Sequence, residues 1–241
     1  NNKFSANVLL KIILNRYLRL FAPYATALVF TIICAYIARF WVNDEFVGEQ
    51  ETLSQFIAHL FFLQGILGLD SISAGAWYVA IDWQLYSVLA VLLISFSSYQ
   101  ALIWLISIVA VSSLLFFNRS AQYEAYFIYF IGSYGLGVLA YLAKNFADKK
   151  IQGLAKFVLI IIGVIIAVST FQQVWFRNFL AWFVALLLFA WGNTTYPVVG
   201  SATRGLKAST LRAIAWASPR SYCAFLIHFA FVLLANTLYI A

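Results

Sequence analysis

Seven stretches of this chain are apolar over nearly the length that a helix needs to cross a hydrocarbon core, about 20 residues. They are 20–41, 77–96, 101–117, 125–143, 154–174, 178–191 and 221–240. Inside a bilayer every backbone N–H and C=O must be satisfied by protein, so a spanning segment is either a helix or a strand of a closed barrel. Long unbroken apolar runs select the helix, because barrel strands show short alternating segments instead. An eighth run, 56–69, is shorter and carries His59, Gln64 and two glycines. It has the composition of a tilted span, a re-entrant segment or an interfacial helix. The expected fold is all-α: a polytopic transmembrane bundle of seven to eight spans, formed as a single domain over 1–241. Composition agrees, since 64% of the 241 residues are hydrophobic and 10% charged, against roughly 25% charged in soluble domains.

The net charge of +7 is accounted for by topology. With 56–69 treated as non-spanning, one side of the membrane receives Lys3, Lys11, Arg16, Arg19, Lys144, Lys149, Lys150, Lys156, Arg204, Lys207, Arg212 and Arg220. The other receives Arg39, Arg119 and Arg177. A 12-to-3 split places the first group in the cytoplasm and turns the loop 43–55, with Asp44, Glu45, Glu49 and Glu51, outward. If 56–69 crosses the membrane, the bias largely disappears. No basic patch alternates with surface aromatics outside the apolar runs, so nucleic acid is not an expected partner.

Other chemistry is sparse. Cys34 and Cys223 both lie within apolar runs and form neither a disulfide framework nor a metal-ligand spacing; no metal is expected. There is no Walker-type phosphate loop, no Gly-x-Gly-x-x-Gly and no His-Glu-x-x-His. Asn118-Arg-Ser120 and Asn193-Thr-Thr195 match the short N-glycosylation pattern. The chain lacks methionine and a signal peptide, and is expected to be a fragment or a processed copy of something longer.

Ionisable groups inside a membrane helix cost at least about 2.5 kcal/mol and so mark function or tight pairing. Asp82 is the acidic residue inside a spanning run. In Trp77-Tyr-Val-Ala-Ile-Asp-Trp-Gln-Leu-Tyr86 it shares one helix face with Tyr78 and Tyr86, while Trp77, Gln84 and Ser87 share roughly the opposite face. A helix polar on two faces belongs inside the bundle or along a wet cavity. Its carboxyl either serves chemistry or ties helices together. The chain has two histidines. His228 lies seven residues after Ser221 and on nearly the same face; it fits a general base or a packed interhelical residue equally well. His59 reads as an interfacial histidine. Arg16 and Arg19 share a helix side just before the first span, where they either grip a phosphate or simply hold the cytoplasmic end.

Three elements together resemble the acyltransferase-3 family of integral membrane acyltransferases. Asn15-Arg-Tyr-Leu-Arg-Leu-Phe-Ala-Pro-Tyr24 is similar to the family's Arg-x-x-Arg element and proline-containing span. Trp77-Tyr-Val-Ala-Ile-Asp-Trp-Gln-Leu-Tyr86 is similar to its Trp-x-x-x-x-Glu-x-Gln-Phe-Tyr helix, with Asp82 in place of glutamate. Ser221-Tyr-Cys-Ala-Phe-Leu-Ile-His228 is similar to its Ser-Tyr-x-x-Tyr-Leu-x-His element. The order and spacing of the three cover nearly the whole chain.

The resemblance implies an acyltransferase acting on groups other than amino-acyl. It would move an acyl group, acetyl in the usual case, from cytoplasmic acyl-CoA (acetyl-CoA) as co-substrate to a hydroxyl of an envelope polysaccharide, carbohydrate or glycolipid, with no permanently bound cofactor. The setting implied is the bacterial inner membrane, with lipid as a further partner. It implies that Arg16 and Arg19 meet the donor phosphates and that Asp82 and His228 are the candidate catalytic residues. Trp77, Tyr78, Gln84, Tyr86, His59, Ser221 and Tyr222 would line the substrate site. It also implies a preceding helix pair bearing a histidine, which no residue here matches. The two-faced helix around Asp82 equally fits a transporter or flippase for a glycolipid or small solute, and a partner-binding subunit with vestigial site residues is a third option.

Overall fold

In the computed structural model, which describes residues 6–42, 50–172, 176–191 and 206–240, the apolar runs become helices and their polar interruptions become caps. The helices are α1 (Ala6–Trp41), α2 (Leu53–Leu60), α3 (Ala76–Ser95), α4 (Tyr99–Leu115), α5 (Phe127–Asn145), α6 (Lys149–Gln172), α7 (Phe176–Trp191) and α8 (Leu206–Ile240). No strand occurs among the described residues. Six helices are long and apolar enough to cross a membrane: α1, α3, α4, α5, α6 and the later part of α8; α7 is apolar but shorter. The boundaries follow local chemistry. Ser98 caps α4 through the Ala101 amide. The Asp148 carboxylate accepts from the Lys150 amide at the start of α6. Gln152 reaches back from α6 to donate to the carbonyls of Lys144 and Phe146 at the end of α5, 3.1 and 2.6 Å away, occupying acceptors that a helix end leaves open.

The chain divides into two compact units. A central unit holds Gln84–Val198 with Asn1–Leu9, and a terminal unit holds Leu10–Trp83 with Val199–Ala241. The helix α3 passes from one into the other.

In the central unit α4, α5, α6 and α7 bury a shared core that includes Ile103, Ile106, Leu136, Leu139, Ile162 and Ala185. Small residues let the backbones approach, as in other membrane bundles. A methyl group added at Gly132 would come within 2.7 Å of the Leu114 side chain. One added at Gly163 would meet the Trp182 ring at 2.3 Å; that indole donates to the Leu159 carbonyl. One end of this unit gathers Arg177 on α7, Asn118 after α4 and Tyr129 on α5: the guanidinium donates to the Asn118 carbonyl, the Asn118 side chain and the Tyr129 hydroxyl. The other end gathers Lys144 of α5, which donates to the Ala190 carbonyl of α7 and lies with Lys156 over the Phe189 ring. The short α7 thus covers the same height as α5. Arg177 sits at the opposite end of this unit from Lys144.

In the terminal unit α8 runs parallel to α1. Tyr222 reaches Leu20, Phe231 packs on Phe30, and Leu233 clusters with Ala35 and Ala38. Between α1 and α3 the chain doubles back. Arg39, near the end of α1, holds Glu51 through two hydrogen bonds of 2.9 and 2.8 Å. Only nine residues later the Leu60 carbonyl accepts from the hydroxyl of Tyr17, roughly 33 Å nearer the start of α1 at 1.5 Å per residue. The run 56–69 is therefore not a single spanning helix. A capping box of Thr52 and Gln55 starts α2, which stops after two turns; Phe62 and Gly68 then take left-handed backbone, and a series of turns leads to α3. The Gln55 side chain donates to the Asp70 carbonyl at 2.7 Å, so the chain returns to the start of α2 before α3 begins. Of the outward loop, Asp44, Glu45 and Glu49 lie outside the described residues, as do Lys3 and Arg204 of the basic side.

Candidate functional site

Two of the residues that break the apolar rule, Arg16 and Asp82, meet in the terminal unit. Arg16 sits on the first half of α1, and the helical stretch extends back to Ala6, so Lys11, Arg16 and Arg19 are all helical. Pro23, lacking an N–H, removes the helical donor for the Arg19 carbonyl. Asp82 lies near the start of α3. The guanidinium of Arg16 donates to Oδ2 of Asp82 at 2.6 Å across 66 residues of sequence. The two side chains are 29% and 23% exposed: sheltered, yet open enough for exchange of partners.

Around this pair stands an aromatic wall. Phe62 is 1% exposed and meets the rings of Tyr17, Tyr24 and Trp83 at centroid distances of 5.4, 5.1 and 5.9 Å. Its φ of +59° is a left-handed backbone that costs a bulky residue about 1–2 kcal/mol. Such strain persists only where the surroundings over-determine it. Tyr222 of α8 lies within electrostatic reach of both Asp82 and Arg16, and its hydroxyl approaches the Leu20 carbonyl at 3.4 Å.

The same unit holds buried polar atoms with no protein hydrogen-bond partner: the Tyr24 hydroxyl, Oε1 of Gln64, Oγ of Ser73 and Nε1 of Trp83. The Tyr24 hydroxyl lies beside the Gln64 side chain without the geometry of a hydrogen bond. Buried polar groups are nearly always satisfied, so several unsatisfied groups in one unit fit a place that receives a polar ligand or water.

The remaining candidates are distributed differently. Arg19 is exposed. Trp77 and Tyr78 are also exposed, packed edge to face on each other, and Tyr78 meets Phe225 of α8. Gln84 acts in the central unit, where it donates to the Ala125 carbonyl and accepts from the Phe127 amide; it fastens the entry of α5. Tyr86 lies in the same unit, half-buried, and Ser221 is exposed. His228 is exposed, with Nδ1 against the Phe225 carbonyl of its own helix, and no hydrogen bond or ion pair joins it to Asp82 among the described residues.

His59 is not interfacial. It is fully buried, with Nδ1 2.8 Å from the Gln55 carbonyl and Nε2 accepting from the Ile72 amide at 3.1 Å. Those partners require the neutral form protonated on Nδ1. Burial holds its pKa below the usual histidine value, against the opposing pull of the Gln55 carbonyl. Its role is to close the hairpin between α2 and α3. Asn118 of the first glycosylation pattern is buried and bonded to the Tyr129 carbonyl, which makes it no acceptor in the folded protein; Asn193 lies outside the described residues. No group of three or more His, Cys, Asp or Glu with metal-binding geometry occurs among the described residues.

The single residues Tyr17, Tyr24, Ser73 and Trp83 were not evident from sequence. Tyr17 and Trp83 flank Arg16 and Asp82 directly, and that adjacency was the available signal. Gln64 stood out as polar in an apolar run, but without an indication of its neighbours. No family model, curated protein or solved structure matches the chain. The fold defines its class: a multi-pass, all-α integral membrane protein in contact with lipid.

Proposed function

We propose that the protein transfers an acyl group, acetyl in the simplest case, from cytoplasmic acyl-CoA to a hydroxyl of an envelope carbohydrate or glycolipid in a bacterial inner membrane. The observation that carries this reading is the meeting of three separated sequence elements: Arg16 from the first is ion-paired to Asp82 from the second, within electrostatic reach of Tyr222 from the third. In the reaction the acceptor oxygen attacks the thioester carbonyl. A C–O bond forms, the C–S bond breaks, the acceptor proton passes to a base, and the CoA thiolate leaves. A base and an oxyanion donor close together are needed. In this reading a donor phosphate draws Arg16, with exposed Arg19, away from Asp82. The carboxylate is then free to accept the acceptor's proton, and the Tyr222 hydroxyl is available as a donor to the oxyanion. His228 would act only after moving from its own helix.

The test is transfer of radiolabelled acetyl from acetyl-CoA to envelope sugar by the full-length protein, folded and inserted in its membrane. Labelling that falls at least a hundredfold in Asp82→Asn is the expected result. Absence of labelling by the folded protein would overturn the reading, as would glycolipid flipping in liposomes without acyl donor.

A further inference from the structure

The central unit holds a cleft of its own. A cleft of about 690 Å³ opens along α5, walled by Leu89 and Leu93 of α3, Tyr99 of α4, and Ser133, Gly137 and Tyr141 of α5, and closed by Asn145, Phe146 and Ala147. This volume lies in the range of small-molecule sites. From Ser133 to Asn145 it extends roughly 18 Å along the helix axis, a little more than one leaflet of a core about 30 Å thick. Its wall is apolar over most of that length. At the Asn145 end the lining turns amphipathic, with Tyr99 packed on Phe146 at a centroid distance of 4.5 Å, as interfacial aromatics do. Lys149 and Lys150 follow within three residues of Ala147, at the end that the basic-residue count assigns to the cytoplasm.

We propose that this cleft binds an anionic phospholipid of the cytoplasmic leaflet, one acyl chain lying along Gly137 and the phosphate at Lys149 and Lys150. Such a ligand requires a single-leaflet length, an apolar wall and cations beside the polar end; the cleft supplies the first two, and Lys149 and Lys150 follow its amphipathic end in sequence. Acetyl-CoA would want the cations and not 18 Å of apolar wall, and a second copy of the chain would not need them. Gly137 makes the site testable. A Cβ added there meets no atom within 4 Å, so a larger residue starts out into the cleft and away from the packing of α5 on α4.

The experiment is native mass spectrometry of the delipidated full protein titrated with dioleoylphosphatidylglycerol or dioleoylphosphatidylcholine. Wild type is expected to hold the anionic lipid more tightly. Lys149→Gln and Lys150→Gln each lower that affinity about fivefold and leave the zwitterionic lipid unaffected. Gly137→Leu lowers both, with Ser133→Leu on the same wall as a second blocking variant. Gly153→Leu, also in open space but on α6 outside the cleft, changes neither. Equal affinity of wild type for the two lipids, binding untouched by both blocking variants, displacement of lipid by acetyl-CoA, or a dimer that Gly137→Leu dissociates would each overturn the proposal.

Discussion

The ion pair between Arg16 and Asp82 can be weighed directly. Unit charges 2.6 Å apart attract by about 6 kcal/mol at an effective dielectric of about 20. Desolvation and the ordering of two side chains offset most of this, and a hydrogen bond to a charged group nets roughly 1.5–3 kcal/mol. With both side chains less than a third exposed, the expected coupling is about 2 kcal/mol. Removing one partner also strands the other's charge, so Arg16→Gln and Asp82→Asn should each cost about 2.5 kcal/mol. The double variant should then cost only about 3 kcal/mol, because it loses the pair and strands nothing. Unfolding of the purified protein in mild detergent, read by tryptophan fluorescence, gives the four corners of the cycle. Additivity of the single costs within about 0.5 kcal/mol would refute the reasoning, since it would mean that the two groups do not feel each other in the folded protein.

Other consequences follow from the same packing. Gly163→Val should destabilise the central unit by about 1–3 kcal/mol, because its added carbons compete with the Trp182 ring; thermal melting checks this, and an unchanged melting temperature would contradict the α6–α7 contact. His59, buried neutral with its pKa lowered, takes up a proton less readily folded than unfolded. Its contribution is therefore present above pH about 6.5 and declines as pH falls below it, by at most about 1.4 kcal/mol per pH unit. Melting between pH 5 and 8 should show that slope, and His59→Gln should flatten it. Phe62→Ala relieves none of the left-handed strain and empties the aromatic wall, so a loss of about 3–5 kcal/mol is expected in chemical unfolding. Arg177→Gln, which breaks hydrogen bonds to Asn118 and Tyr129, should lower the melting temperature.

The helices were legible because the bilayer imposes them: a run such as 154–174 has no other way to satisfy its backbone, and its described part, 154–172, lies within α6. Less legible was everything set by tertiary contact. The run 56–69 left three shapes open, and its form rests on Phe62 accepting an unfavourable φ because three rings surround it, which no local propensity encodes. His59 read as interfacial because it lies in a short segment near the loop 43–55; its hydrogen-bond partners, Gln55 and Ile72, are spread over the hairpin. The seven-residue spacing of Ser221 and His228 is real helical geometry, but shared azimuth on α8 does not bring a side chain to Asp82.

The polarity of α3 on two faces led to the expectation that it lies in a polar interior, and the structure divides that polarity between two tasks. Asp82 engages Arg16 within the terminal unit. Gln84, two residues on and pointing away, holds the Ala125 carbonyl and the Phe127 amide within the central unit. A carboxylate with a charged partner at 2.6 Å can exchange that partner for a ligand's charge, whereas a neutral amide held by backbone through both its oxygen and its nitrogen is fixed in place and carries no charge to exchange. Chemistry is therefore expected from the Asp82 face and stability from the Gln84 face. Substitution of Gln84 should lower the melting temperature and leave the affinity for acetyl-CoA intact, while Asp82→Asn should change that affinity even where the fold survives.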